Sequence, residues 1–168
     1  MHNVSLSNPP PLCCEVIVGT RPEAIKLAPV VKALRRRGAD FLVRLVTSGQ
    51  QGEICHSALA AFGLAADSSL DVETINGSLT DSAGQVLRAF GHRFVDSRPD
   101  IILVQGDTTT AMAAALAGFY ARIPVAHVEA GLRSGDLANP FPEEANRQII
   151  DTVSTILLPP TQAMSTAG

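Results

Sequence analysis

Short apolar, β-branched runs alternate with helical stretches along most of this chain, and that alternation restricts the fold more tightly than any bulk property. The run Glu15-Val16-Ile17-Val18 ends at Gly19 and gives way to a turn, Thr20-Arg21-Pro22-Glu23. From Leu27 to Arg37 the residues Val30, Val31 and Leu34 recur at helical spacing, with Pro29 in a tolerant first turn, Arg35 to Arg37 in the last turn and Gly38 beyond. The pattern predicts a second strand over 41–46, a helix over 53–62 and a longer helix over 79–94 carrying Val86, Phe90 and Phe94 on one face. Ile101-Ile102-Leu103-Val104 is a near-continuous apolar strand of the kind buried on both faces of a parallel sheet. It is followed by an alanine-rich helix over 108–122, a strand over 125–128, a long loop over 129–142, a helix from Glu143 to about Val153 and a last strand over 155–158. Strands and helices in this order imply an α/β fold, a Rossmann-like doubly wound parallel sheet with right-handed crossovers and a ligand crevice at the carboxyl ends of the strands.

The chain's 168 residues, 46% of them hydrophobic, suffice for one sizeable core and one domain. A net charge of −3 gives no broad attraction to nucleic acid or to an anionic membrane, so a small-molecule partner is expected. Cys13 and Cys14 are adjacent and Cys55 stands alone, a spacing that suits neither a zinc site nor a disulfide framework and reads as reduced cytoplasmic thiols. Met1 to Leu12 contain Pro9-Pro10-Pro11 and lack the basic and apolar regions of a secretory signal, so they are expected to form a disordered arm. No apolar run approaches the roughly 18 residues of a membrane helix.

The chemistry-bearing residues sit where such a sheet opens its crevice. Gly19-Thr20-Arg21 follows the first strand, Gln50-Gln51 the second, Asp107 the Ile101 strand and Glu129 the Val125 strand. Asp107 reads either as a plain helix N-cap or as a functional carboxylate, with Thr108, Thr109 and Thr110 able to cap in its place. His127 reads foremost as a satisfied core histidine, and a metal held by Asp107, His127 and Glu129 is disfavoured because adjacent strand residues point to opposite faces. The segment from Glu129 to Asp136 is either a solvated surface loop or a binding loop. Of the two acids opening the last helix, Glu144 is expected only to complement the helix dipole while Glu143 faces the crevice. The first turn lacks a Gly-x-Gly-x-x-Gly fingerprint and no acid ends the second strand, which argues against a nicotinamide cofactor.

Four blocks in order, Gly19-Thr20-Arg21-Pro22-Glu23-Ala24-Ile25-Lys26, Gly106-Asp107-Thr108-Thr109-Thr110, His127-Val128-Glu129-Ala130-Gly131-Leu132-Arg133 and Pro142-Glu143-Glu144-Ala145-Asn146-Arg147, resemble the non-hydrolysing UDP-N-acetylglucosamine 2-epimerases. The resemblance spans nearly everything after Leu12 and corresponds to the amino-terminal half of that family's two-domain, GT-B-type fold, without the carboxyl-terminal UDP-binding domain. It implies interconversion of UDP-N-acetylglucosamine and UDP-N-acetylmannosamine by anti elimination of UDP to 2-acetamidoglucal and re-addition, with no cofactor and no metal. It implies catalytic roles for Asp107, Glu129 and Glu143 and substrate-side roles for Arg21, Lys26, Gln50 and Arg133. A homodimer and a separately supplied second domain are the partners it implies besides the substrate.

The chain departs from the family pattern at two places. Gly49-Gln50-Gln51-Gly52 stands where relatives usually read Gly-Gln-His-Arg, and Asn76-Gly77 stands where bacterial relatives often carry Arg-Gln, so the family's activating second substrate site is not expected here. A non-catalytic remnant that binds sugar nucleotide or a partner protein is the alternative reading. A glycosyltransferase-like fragment on the same architecture is disfavoured, since acids on separate loops suit proton shuttling at C2.

Overall fold

The computed structural model describes residues 9–49, 51–70, 72 and 78–160. Its elements run β1 (Leu12–Val18), α1 (Arg21–Arg35), β2 (Phe41–Thr47), α2 (Gly52–Ala61), β3 (Ser68–Ser69), α3 (Leu79–Ser97), β4 (Ile101–Gln105), α4 (Thr109–Tyr120), β5 (Val125–Val128), α5 (Glu143–Val153) and β6 (Ile156–Leu158). All strand pairings are parallel, and the order across the sheet is β3-β2-β1-β4-β5-β6. This is the Rossmann-like, doubly wound arrangement, with the winding reversing between β1 and β4.

Alternation along β1 shows how one strand serves two layers. Cys14, Val16 and Val18 pack with Leu27 and Val31 of α1 and Leu59 of α2, whereas Ile17 packs with Phe90 and Phe94 of α3, the alanines of α4 and Ile150 of α5. Helix α4 is apolar nearly all round because α3, α5 and the sheet all press on it, and small residues let them approach. A Cβ at Gly118 would meet Ile102 Cδ1 at 2.4 Å.

Glu15 occupies the middle of β1 and is fully buried. Arg93 of α3 reaches it with Nε at 2.8 Å from Oε2 and Nη2 at 3.0 Å from Oε1, and Arg44 of β2 adds Nη1 at 3.5 Å. A forked guanidinium satisfies both carboxylate oxygens at once, which is the geometry that makes a buried charge tolerable.

The structure differs from the sequence expectation at several points. Sheet pairing begins at Leu12, whose N–H donates to the Asp40 carbonyl at 2.8 Å, so the expected arm does not extend that far; residues 1–8 of it lie outside the described residues. Helix α1 begins at Arg21 rather than Leu27 because Thr20 and Glu23 form a Thr-x-x-Glu start, which puts Pro29 inside the helix instead of its first turn. The short β3 was not anticipated, since Ser68-Ser69 has no apolar signature and is held by tertiary bonds such as Thr47 Oγ1 to Ser69 Oγ at 3.0 Å.

Arg93→Met should destabilise the fold by about 2–4 kcal/mol, because it leaves Glu15 with only the more distant Arg44, and Glu15→Met together with Arg93→Met should recover most of that loss. Urea denaturation of the two variants measures both.

Candidate active site

The reversal of winding leaves the carboxyl ends of β1 and β4 without a crossover between them, and a cleft of about 210 Å³ opens there. Its lining comes from the start of α1, the turn after β4, the loop after β5 and α5, and includes Glu23, Lys26, Gln105, Asp107, Glu129 and Arg147.

Glu23 closes the floor. Its Oε2 accepts the backbone N–H groups of Gly19 at 2.5 Å and Thr20 at 2.7 Å, while Oε1 accepts the Thr108 hydroxyl at 2.5 Å. One buried carboxyl therefore ties the turn after β1 to the turn after β4, across the switch point. Burial pushes its proton affinity above the ordinary value, and the hydrogen bonds from Thr108, Gly19 and Thr20 oppose that shift.

Asp107 follows Gly106, whose φ of +72° lets the chain leave β4 sharply. Thr108 supplies the N-cap of α4, accepting the Ala111 N–H at 3.0 Å, so the helix does not use Asp107. Arg147 holds the Asp107 carboxylate instead, with Nη2 at 2.6 Å from Oδ2, and the Asn146 side-chain amide donates to the Asp107 carbonyl at 2.9 Å.

Glu129 follows β5 in the left-handed region, with φ +69°, a conformation that costs a non-glycine residue on the order of 1–3 kcal/mol. The turn brings its carboxylate to Lys26 Nζ of α1 at 2.6 Å and to the side-chain amide of Gln105. The same carboxylate lies 4.0 Å from where a Cβ at Gly106 would stand, so the Glu129 side chain leans over the turn that carries Asp107.

Behind the cleft, His127 is buried between Asp151 and the Gly106 carbonyl, and both of its ring nitrogens are engaged within the protein. The reading of a satisfied core histidine matches this placement. Arg133 pairs with Asp151, Nη1 to Oδ2 at 2.7 Å, and does not line the cleft. Glu144, expected to serve the dipole alone, is fully buried: it accepts the Ser134 N–H at 3.0 Å and the Gln148 amide at 2.8 Å and sits 3.2 Å from Arg147 Nη1. The Gln148 bond first, then the Ser134 N–H and Arg147, hold its carboxyl below the ordinary range against the opposing effect of burial.

The sequence-predicted residues are thus divided. Asp107, Glu129 and Lys26 line one cleft. Glu143 opens α5 one turn before Asn146 and Arg147 and is not part of the lining. Arg21 lines a separate groove of about 460 Å³ between α1 and α2, with Ile25, Ile54 and Phe62. Gln50, Asn76 and Gly77 lie outside the described residues. Sequence reasoning missed Glu23, Gln105, Asn146 and Arg147 as parts of the site. The Thr-x-x-Glu spacing offered a signal for Glu23, whereas the spacing of 40 residues between Asp107 and Arg147 offered none.

A doubly wound α/β domain has its ligand crevice at the switch point, and here acids and cations gather there. The family model for UDP-N-acetylglucosamine 2-epimerase matches residues 32–167, and the chain belongs to that family. It is 45% identical over 146 residues to the UDP-N-acetylglucosamine 2-epimerase of Yersinia pestis and 41% identical over 146 residues to that of Escherichia coli K12, in each case 87% of this chain. The crystal structure of UDP-GlcNAc 2-epimerase from Neisseria meningitidis bound to UDP-GlcNAc superposes with a TM-score of 0.88 at 37% identity, covering 93% of this chain and 42% of that one. The chain spans about 39% of the length of the Yersinia and Escherichia relatives. Among the described residues, no helix is long and apolar enough to cross a membrane.

Two outcomes follow from this geometry. Glu144 has an ordinary value of 4.5 and a lower one in the folded protein, so its stabilising contribution is complete above that pH and is lost as pH falls through the depressed folded value. Glu144→Gln should flatten that acid limb while lowering stability near neutrality, as read by denaturation across the pH series. Glu129→Gly should change stability by no more than about 1 kcal/mol, since relief of the left-handed strain is offset by loss of the Lys26 ion pair, by the unpaired Gln105 amide and by the chain entropy of glycine. Thermal melting checks the size.

Proposed function

We propose that this chain is the acid/base half of a non-hydrolysing UDP-N-acetylglucosamine 2-epimerase, acting at C2 of the sugar while a second domain holds the UDP. The observation that carries this reading is the pairing of Asp107 and Glu129 in one cleft, each rooted on a different strand end and each met by a cation at 2.6 Å. The C2 hydrogen is barely acidic, so its removal requires a preorganised carboxylate in contact with it, and inversion requires the returning proton to arrive on the opposite face. Two acids on separate turns flanking one sugar ring meet that demand. One takes the C2 proton as UDP leaves to give 2-acetamidoglucal, and the other delivers a proton to the opposite face as UDP re-adds.

Lys26 and Arg147 lie close enough to exchange their present carboxylate partners for charge on the substrate. Glu143 is the third acid by its motif. Arg21 and Gln50 serve the nucleotide side, and Arg133 acts through its loop. The Neisseria relative is described as bound to UDP-GlcNAc, which supports the substrate class. We place the protein in the cytoplasm as a homodimer, with residues 13–168 assigned to the amino-terminal domain.

The test is incubation in D2O with UDP-N-acetylglucosamine, using the chain together with a separately expressed carboxyl-terminal domain from a relative, and following deuterium at C2. Exchange is expected for the pair, with Asp107→Asn and Glu129→Gln each lowering it by about 10²–10⁴-fold. Absence of exchange in the reconstituted pair, or undiminished exchange in both variants, would refute the assignment.

A further inference from the structure

His127 is fully buried on β5, and its two ring nitrogens both face acceptors. Nε2 lies 2.7 Å from the Gly106 carbonyl oxygen, which can only accept, so that nitrogen carries a hydrogen. Nδ1 lies 2.5 Å from Asp151 Oδ1, a carboxylate whose other oxygen takes the Gly131 N–H at 3.1 Å and Arg133 Nη1 at 2.7 Å. The Arg133 guanidinium beside Oδ2 favours the charged carboxylate, for which Nδ1–H is the matching donor. The charged groups that face the ring are Asp151 from α5 and, beyond it, Arg133 from the loop, while its register neighbours on β4 and β6 are Val104 and Leu157. Asp107 and Glu129 stand one and two residues beyond its contacts at Gly106 and along β5.

The placement of the bonds matters as much as their number. Gly106 donates its N–H to the Val128 carbonyl at 3.0 Å and gives its own carbonyl to His127, and the next carbonyl, that of Asp107, takes the Asn146 amide. Both peptide groups of the turn that carries Asp107 are thus gripped from β5 and α5. Asp151 meanwhile holds Gly131, two residues past Glu129.

We propose that His127 and Asp151 are positioning residues for the two cleft acids: a buried imidazolium–carboxylate strut that fixes the Asp107 turn and the Glu129 loop to α5 in one geometry. Its catalytic consequence rests on the epimerase reading given above, whereas its protonation does not. An isosteric change at Asp151 removes the negative partner of the ring but leaves space and shape in place. The ring then falls back to a neutral form that keeps Nε2–H on Gly106 and accepts on Nδ1 from the new amide, an uncharged and weaker bond that holds the turn less firmly to α5.

The test is a ¹⁵N spectrum of histidine-labelled chain, with the His127 signal identified by its absence in His127→Gln. Both His127 nitrogens are expected to be protonated at neutral pH, and Asp151→Asn is expected to leave Nδ1 bare. In the reconstituted C2 exchange assay, Asp151→Asn should lower kcat by about tenfold or more with KM little changed, as misplacement of a catalytic group does. Amide exchange at Gly106 should quicken by about tenfold in the same variant while amides of β1 and β2 stay as they were, which separates a local release from general destabilisation. If Asp151→Asn does not fold, His127→Gln, whose amide can still donate to Gly106, takes its place in the kinetic and exchange measurements with the same expected changes. A bare ring nitrogen in the unaltered protein at neutral pH overturns the proposal, as does a folded variant with unchanged kcat and unchanged Gly106 exchange. Should the unaltered reconstituted pair show no C2 exchange, the epimerase reading fails by itself, and the ring spectrum and Gly106 exchange still decide the strut.

Discussion

A parallel sheet whose strands are buried on both faces must send every connection over one face or the other, and here the connections change face between β1 and β4. Everything at the site depends on that change. Helices α1 and α2 cover one face, α3, α4 and α5 the other, and the place where neither set crosses is where loops from β1, β4 and β5 meet. Glu23 makes the meeting rigid, because its single carboxyl takes hydrogen bonds from the β1 turn and from Thr108 at the head of α4.

The electrostatics of the cleft follow the same division. The acids Asp107 and Glu129 are rooted at strand ends, whereas their cations are delivered by helices, Lys26 by α1 on one face and Arg147 by α5 on the other. A carboxylate on a strand end has little freedom, and a lysine on a helix has a long flexible stem. The arrangement keeps the acids fixed while leaving at least one counter-charge able to move when another anion enters. The left-handed backbone at Glu129 belongs to this design: the conformation is unfavourable for folding and turns the side chain over the Asp107 turn.

Buried charge elsewhere plays a different part. Glu15 with Arg93 and Arg44, and Glu144 with Gln148, Ser134 and Arg147, are saturated by donors and fasten layers together, α3 to the sheet in the first case and the 131–136 loop to α5 in the second. Cys14 and Cys55 are likewise structural, with burial pushing their thiols up to about 12 and about 11. Charge that is fully satisfied stabilises or positions, and charge that remains partly open to the cleft is available to a ligand.

Local periodicity decided the element order except for β3, because a strand buried on both faces reads as an unbroken apolar run and an amphipathic helix repeats with its turn, as Ile101 to Val104 and the Val86, Phe90, Phe94 stripe do, whereas Ser68-Ser69 carries no such pattern. From element order came the parallel sheet and the expectation that residues after β1, β4 and β5 converge. Capping chemistry was also present but ambiguous, since Asp107 and the threonines after it compete for one role, and only the Thr108 bond to Ala111 settles which does the capping. Partnerships across long separations belonged to tertiary structure alone. Arg147 with Asp107, Lys26 with Glu129 and His127 with Gly106 and Asp151 depend on helix rotation and loop path, which no local spacing encodes. The division between Glu143 and Glu144 has the same cause: neighbours on one helix point about 100° apart, and packing of α5 against the sheet chose which of them to bury.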